Sequence, residues 1–302
     1  MTTILFHQDC RGPFIKDIGL PDYLGDCLRQ YSCFNEDKVY VLTDRVNLEA
    51  LEKYPQVIPV ALEDCYSDKV GHLTSLFGHP EKDFWTVSLV RFVYITNFMK
   101  HMGLQHVYHF ENDILIYSDL SKYHETFKQL YRNLAITPGG PGKCMTGFMY
   151  ISDYHSLSHM TDFFVHVLAN LSEFEIRGRY SCDMVHEMSL MSAYHQESGP
   201  YCLAYLPILP FGEFSENFDK FNSIFDPATF GQFVGGTRTE GPGIKPSDHY
   251  IGRLLTANPK YGVKWVTEAR GKIPYFHYAD SLVKINNLHI HSKNLNSYVS
   301  WR

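Results

Sequence analysis

Leu104–Leu120, LQHVYHFENDILIYSDL, decides the reading of this chain. Gln105 to Phe110 has the apolar, β-branched and aromatic character of a buried strand, and Ile114 to Tyr117 repeats it. Between them stand Glu111, Asn112 and Asp113. The two acids interrupt a core element at a strand's C-terminal end, where a carboxylate needs a cation, a set of donors or a proton. Two acids this close suit a hard divalent cation, Mn²⁺ or Mg²⁺. Asn-Asp is also ordinary turn chemistry, so the triplet alone leaves turn and metal site both open.

The elements around this stretch alternate. Thr2–Phe6 reads as a first strand, Pro21–Cys33 as a helix, Lys38–Leu42 as a second strand ending in Thr43-Asp44, and Val57–Leu62 as a third. Strand, helix, strand is the opening of a parallel sheet. Ligands of such sheets lie beyond the strands' C-terminal ends, which places Asp44 to meet a nucleoside or, equally, to cap the following helix. Phe84–Met102 reads as a long apolar helix with Arg91 inside it; a guanidinium keeps its charge, so Arg91 has either a carboxylate partner or a bound anion.

Downstream, Asp119–Tyr131 reads as an amphipathic helix and Leu134–Thr137 as a strand. Pro138–Gly142 reads as a flexible loop rimming a cleft. A helix is expected over His155–Leu171 and another over Asp183–Tyr194, where Asp183 and Glu187, four apart, share one face and Met184, Met188 and Met191 the neighbouring one. Either acid on the cleft side is a candidate general base. Residues 224–236 read as a short helix and glycine turn, 237–245 as a loop, and Lys264–Thr267 and Ile273–His277 as strands. In the terminal run KINNLHIHSKNL, His289, His291 and Lys293 alternate, so on a strand they project to one side and call for an anion or a metal.

Composition narrows the classes. The 302 residues carry a net charge of -6 with no basic stripe, which gives nucleic-acid binding no electrostatic support. Seven cysteines lack zinc or disulfide spacing and read as reduced thiols in a cytoplasmic setting. No apolar run reaches membrane-spanning length, which leaves only peripheral membrane contact. Neither a P-loop nor a GxGxxG fingerprint is present.

The ordered set KVYVLTD, FWTVSLVRF, HVYHFENDILIYSDL, MTGFMYI, HEMSLMSAY and NNLHIHSKNL resembles nucleotide-sugar glycosyltransferases of the GT-A fold. FDPATFGQFVGG and NNLHIHSKNL are similar to the C-terminal part of bacterial and large-virus glycosyltransferases of glycan assembly. The resemblance implies an α/β fold whose mixed, mostly parallel, Rossmann-like central sheet is flanked by helices, with a C-terminal extension closing the cleft. It implies one catalytic domain, residues 1–120 forming the nucleotide-binding half and 121–302 the acceptor half. Glu111-Asn112-Asp113 falls where the family carries DxD, with Glu in place of the first Asp. By resemblance Asp113 and Glu111 bind the metal. Asp44, Arg91, Asn112 and Gly147 face the donor. His289, His291 and Lys293 complete metal and phosphate binding, His291 being the preferred ligand.

The implied activity is metal-dependent hexosyl transfer from a nucleoside-diphosphate sugar, a UDP-sugar first among them, to a hydroxyl of a glycan or glycoconjugate. Glu187, then Asp183, is nominated as base if configuration is inverted. Two alternatives stay open: a non-catalytic sugar-nucleotide or glycan binder, motivated by the replaced first Asp, and a metal-dependent nucleotidyltransferase or sugar-nucleotide hydrolase, against which the loop after the first strand, DCRGPFIKD, is poor in glycine.

Overall fold

The structure is a computed structural model that describes residues 1–11, 16–17, 19–77, 83–140, 143–237, 240–242 and 250–302. The α/β fold expected from the sequence is present. Seven strands form the central sheet in the spatial order Leu203–Tyr205, Leu134–Gly140, Lys143–Ile151, Val107–Glu111, Thr2–Phe6, Val39–Thr43, Val57–Ala61. Lys143–Ile151 runs antiparallel to both its neighbours, and every other pairing is parallel.

Alternation along each strand sends neighbouring side chains to opposite faces, and both faces are covered. Leu5, Val41, Tyr108, Phe110, Phe148 and Tyr150 pack beneath the helix Leu24–Phe34 and the C-terminal strands. Ile4, Phe6, Leu42, Val107 and Met149 pack beneath the helices Asp68–Phe77, Asp83–Met102 and Tyr154–Asn170. Burial on both sides is why the strands read as apolar runs and not as a polar-apolar alternation.

After Asp113 the chain leaves the central sheet. Ile114–Ile116 pairs antiparallel with Asn287–His289, placing His289 opposite Ile114. A four-stranded sheet, ordered Ser223–Ile224, Ser281–Ile285, Gly271–Tyr278, Gly262–Glu268, leads into that pairing. The C-terminal segment thereby returns to the end of strand Val107–Glu111. The short helix Thr229–Gly235 packs on His289: a Cβ at Gly231 would stand 2.0 Å from the His289 carbonyl oxygen.

Several expectations are corrected. Pro138–Gly140 continues a buried strand instead of opening a loop; Pro141 and Gly142 lie outside the described residues, as do Gly12–Ile15 and Ile18 of the loop after the first strand. The helix expected from Asp119 is a 3₁₀ turn, Leu120–Tyr123, followed by His124–Leu130. The helix expected from Asp183 starts at Glu187, because His186 is its N-cap, accepting the Ser189 N–H on Nδ1. Asp183 is therefore exposed in the connection and shares no helical face with Glu187. Of the methionines expected as a core stripe, Met191 is buried, Met188 faces a cavity and Met184 is exposed. Part of the loop expected over 237–245 lies outside the described residues.

Two glycines give opposed outcomes in urea denaturation. Gly231→Ala is expected to lose about 1–3 kcal/mol, because the added methyl meets backbone that cannot yield cheaply. Gly178, inside the helix Glu173–Tyr180 with open space at its Cβ, is expected to gain about 0.5–1 kcal/mol as Ala through helix propensity.

Candidate active site

Beyond the C-terminal end of Val107–Glu111 lies a cavity of about 650 Å³. Glu111 is the strand's last residue and Asp113 the second residue of the turn that follows, so both carboxylates stand at one point. The triplet forms a turn, and the same backbone brings its two carboxylates together. Asp113 is only 2% exposed, a position that demands compensation.

Three cations compensate the two acids, Arg91 from the long helix at Glu111, and His289 and Lys293 from the C-terminal segment at Asp113. Arg91, buried in the helix Asp83–Met102, donates to Glu111 Oε1 at 2.5 Å and to Thr146 Oγ1 at 2.6 Å. His289 Nε2 lies 3.0 Å from Asp113 Oδ2 and 3.3 Å from Glu111 Oε2. The Lys293 ammonium donates to Asp113 Oδ2. Burial pushes the Glu111 carboxyl up, but Arg91 and His289 outweigh it and hold it at about 2. Asp113 is likewise raised by burial and brought well below the carboxylate range by His289 and Lys293. Burial works against the His289 imidazolium, yet Asp113 and Glu111 lift its pKa above the ordinary value.

One oxygen of Glu111, one of Asp113 and one ring nitrogen of His289 lie within 4.8 Å of one another. Two carboxylates and one imidazole converging this way form a hard, O-rich donor set with a nitrogen, which fits Mn²⁺ better than Mg²⁺. His289 joins this group, while His291 lines the cavity beside it, its Nδ1 bonded to Gln232 Nε2 at 2.9 Å and its ring centroid 4.3 Å from that of His289. Of the two histidines expected to complete the site, the geometry groups His289 with the acids, whereas the HxK spacing preferred His291. The strand ends at His289, and Lys293 arrives through a turn with left-handed backbone (φ 64°), its N–H bonded to the Ile290 carbonyl.

His289 is held by its backbone. The buried Asp226 carboxylate accepts N–H bonds from His289 at 3.0 Å, Phe230 at 2.8 Å and Gly231 at 2.9 Å, and the Asp113 carbonyl accepts from Ile290. Gly147, in the facing strand, leaves room for the ring, since a Cβ there would stand 2.8 Å from His289 Nδ1. Its close approach is thus to a side chain of the site.

Glu187, at 4% exposure, lines the cavity with Oε2 unpartnered, and burial raises its carboxyl to about 7 against the opposing pull of Arg91. Asn112 also lines it, accepting from Tyr23 OH at 3.3 Å and bonded through Nδ2 to His7 Nδ1 at 3.1 Å. Asp44 sits apart from the cavity lining. It accepts the Asp9 N–H at 2.7 Å and so ties the ends of the first two strands, without a side-chain cap on the turn that follows. Asp183 lies outside the cavity as well. The sequence reading missed His7, Gln8, Tyr23, Thr146, Gln232 and the aromatic residues Phe84, Trp85 and His186, all of which line the cavity; His186, inside the quoted HEMSLMSAY, and Thr146, inside MTGFMYI, sat next to residues already singled out.

No protein-family model matches this sequence, and no curated protein matches it. Among solved structures the chain is similar to mouse xyloside xylosyltransferase 1 in its apo form, at 10% identity over 67% of this chain and 83% of that one, with a TM-score of 0.47. It is similar to the glycosyltransferase GlyE of Streptococcus pneumoniae TIGR4, at 15% identity over 76% of this chain and 47% of that one, with a TM-score of 0.42. A third is the galactosyltransferase LgtC in complex with donor and acceptor sugar analogues, at 13% identity over 68% and 73%, with a TM-score of 0.38.

Mn²⁺ titrations followed by the free-ion electron paramagnetic resonance signal separate the two histidines. His289→Ala is expected to weaken binding by more than about 100-fold, and His291→Ala by about tenfold, the low end of the scale of an outer-shell partner. Affinity in the wild type rises from pH 6 to pH 8, because the ion displaces the proton that Asp113 and Glu111 hold on His289.

Proposed function

We propose that this chain is a metal-dependent glycosyltransferase that moves a sugar from a nucleoside diphosphate to an acceptor hydroxyl. The observation that carries the reading is the convergence of Glu111, Asp113 and His289 within 4.8 Å, inside a cavity lined also by Arg91, Lys293 and Glu187, whose Oε2 has no hydrogen-bond partner among the described residues. Displacement of a diphosphate by a hydroxyl uses a dication site, fixed positive charge and a carboxylate able to take a proton in one cavity.

Glu111, Asp113 and His289 would hold Mn²⁺ or Mg²⁺, which when bound neutralises charge on a departing diphosphate. Lys293 and Arg91 add fixed positive charge on the same side. The acceptor oxygen forms its bond to the anomeric carbon as the bond from that carbon to the diphosphate oxygen breaks. In an inverting reaction the acceptor's proton passes to Glu187, whose Oε2 has no competing partner. A carboxyl lifted to about 7 by burial is a stronger base than one in water, and it is ionised for this role above that pH. In the same reading residues 1–120 serve the nucleotide and residues 121–302 the acceptor and the C-terminal phosphate contacts, in a cytoplasmic setting with a UDP-sugar as the first donor to try.

Calorimetry with UDP, GDP, TDP, CDP and ADP, each with Mn²⁺ and with chelator, is expected to find one nucleotide that binds only with the metal. Asp113→Ala should abolish that binding while its circular dichroism stays native; undiminished affinity in the variant would sink the proposal. Turnover should release nucleoside diphosphate, and pyrophosphate in its place would point to nucleotidyl transfer.

Glu187→Gln supplies a separate check. Its kcat is expected to fall about 10²–10⁴-fold, with the activity limb near pH 7 removed and nucleotide affinity retained. A second consequence follows from the direction of the shift. The folded chain holds a proton on Glu187 that the unfolded chain releases at ordinary carboxylate pH, so wild-type stability declines as pH rises from about 4.5 to about 7. In the Gln variant that component of the slope is absent from urea midpoints measured across this range.

A further inference from the structure

The mouth of the cavity near Glu187 is aromatic. Phe84 and Trp85 open the helix Asp83–Met102, with ring centroids 5.0 Å apart and edge-to-face. Trp85 stacks on His186 at 4.9 Å and 22°. All three line the cavity, and Phe84 remains 42% exposed. Rings of this size, partly open where they line a cavity, offer apolar surface to a ligand.

The helix orders the cavity. Trp85, Ser88 and Arg91 fall at i, i+3 and i+6 on one face, and all three line it. Six residues of helix span about 9 Å, so Trp85 lies roughly that far along the axis from the guanidinium that meets Glu111. A diphosphate held at the acid group therefore leaves the aromatic wall one sugar ring or more away. Glu187 follows His186 directly, and both line the cavity. His186 uses Nδ1 as an acceptor for the Ser189 N–H, which puts its proton on Nε2. The wall thus joins an apolar ring surface to one carboxylate acceptor and one imidazole donor. A pyranose matches this pairing, with C–H faces for the rings and hydroxyls that both donate and accept.

We propose that Trp85, Phe84 and His186 form a stacking subsite for the pyranose ring of the acceptor, which orients one of its hydroxyls toward Glu187. The assignment rests on the glycosyl-transfer reading and adds to it the acceptor class: a saccharide, in place of a lipid or protein hydroxyl without a sugar ring.

The chain has three tryptophans, so a ¹⁵N-labelled wild-type sample gives three indole N–H signals, assigned by single Trp→Phe variants. The probes are methyl glucoside, galactoside and mannoside in both anomeric forms, added with and without Mn²⁺ and the nucleotide found by calorimetry. The Trp85 signal is expected to move with at least one glycoside while those of Trp265 and Trp301 stay fixed. In a transfer assay with that glycoside, Trp85→Ala should raise the acceptor KM about tenfold or more, hold nucleotide affinity within about twofold, and be largely rescued by Trp85→Phe. A Trp85 signal unmoved by every glycoside overturns the proposal. So does one that responds to the nucleotide alone, or a Trp85→Ala variant that loses nucleotide and acceptor affinity in equal measure. Loss of all nucleotide binding in the wild type strikes instead at the glycosyltransferase reading, and a saccharide response at Trp85 in that case keeps the wall as a carbohydrate site.

Discussion

The Asp113 carboxylate, buried between an imidazole and an ammonium, is the interaction on which the rest of the structure depends. A carboxylate taken out of water beside a second one is tolerated only with good geometry and several compensating partners. Asp113 obtains them from His289 and Lys293, 176 and 180 positions away, so its stability in the fold requires that the C-terminal segment return. The antiparallel pairing of Ile114–Ile116 with Asn287–His289 is the backbone means of that return. Removing one partner of such a cluster strands the others, with a typical loss of about 3–5 kcal/mol. Fold and site are therefore coupled at this point.

A second buried acid does the positioning. Asp226 touches none of the clustered carboxylates, yet its three backbone N–H bonds fix the start of the helix Thr229–Gly235 and the backbone of His289 at once. Burial lifts its carboxyl to about 6 even against those donors, so this anchor is maintained at an energetic disadvantage. Gly231 belongs to the same device: the helix approaches the His289 carbonyl so closely that only hydrogen fits. A ring nitrogen that must meet two carboxylates within a fraction of an ångström is thus set by main-chain contacts on both sides, with rotamer freedom left to little else.

These couplings explain what the sequence could and could not reveal. The central strands were legible because burial on both faces demands continuous apolar runs, and Val107–Glu111 was clear for that reason. Glu111 and Asp113 were legible as acids where a core strand ends. Their partners were not, because nothing local in HVYHFEND refers to residue 289; only the family resemblance joined the two segments, and it named both histidines with a preference for His291, where the geometry groups His289 with the acids. Alternation over His289, His291 and Lys293 presumed a strand that stops at His289. Asp183 was drawn into a helix by periodicity, since a histidine N-cap is outside the usual Ser, Thr, Asp and Asn signals. Pro138–Gly140 carried loop signals yet lies in a strand, where its neighbour Lys143–Ile151 supplies the pairing that composition cannot announce. Phe84 and Trp85 looked like more of an apolar helix, and their exposure to a cavity depends on which face the tertiary fold leaves open.

Charge counting at the site then constrains how it would fill. Glu111 and Asp113 contribute -2, while Arg91, Lys293 and a protonated His289 contribute +3, leaving +1 in the ion-free chain. A dication that displaces the His289 proton changes the sum to -2 + 2 + 2, or +2. An uncompensated +2 in a partly buried cavity opposes the ion that creates it, because Coulomb energy in such surroundings is several-fold larger than in water. A diphosphate brings at least two negative charges and cancels the excess. On the proposed reading, ion and nucleotide would favour each other's binding, and by linkage the coupling would be equal in both directions.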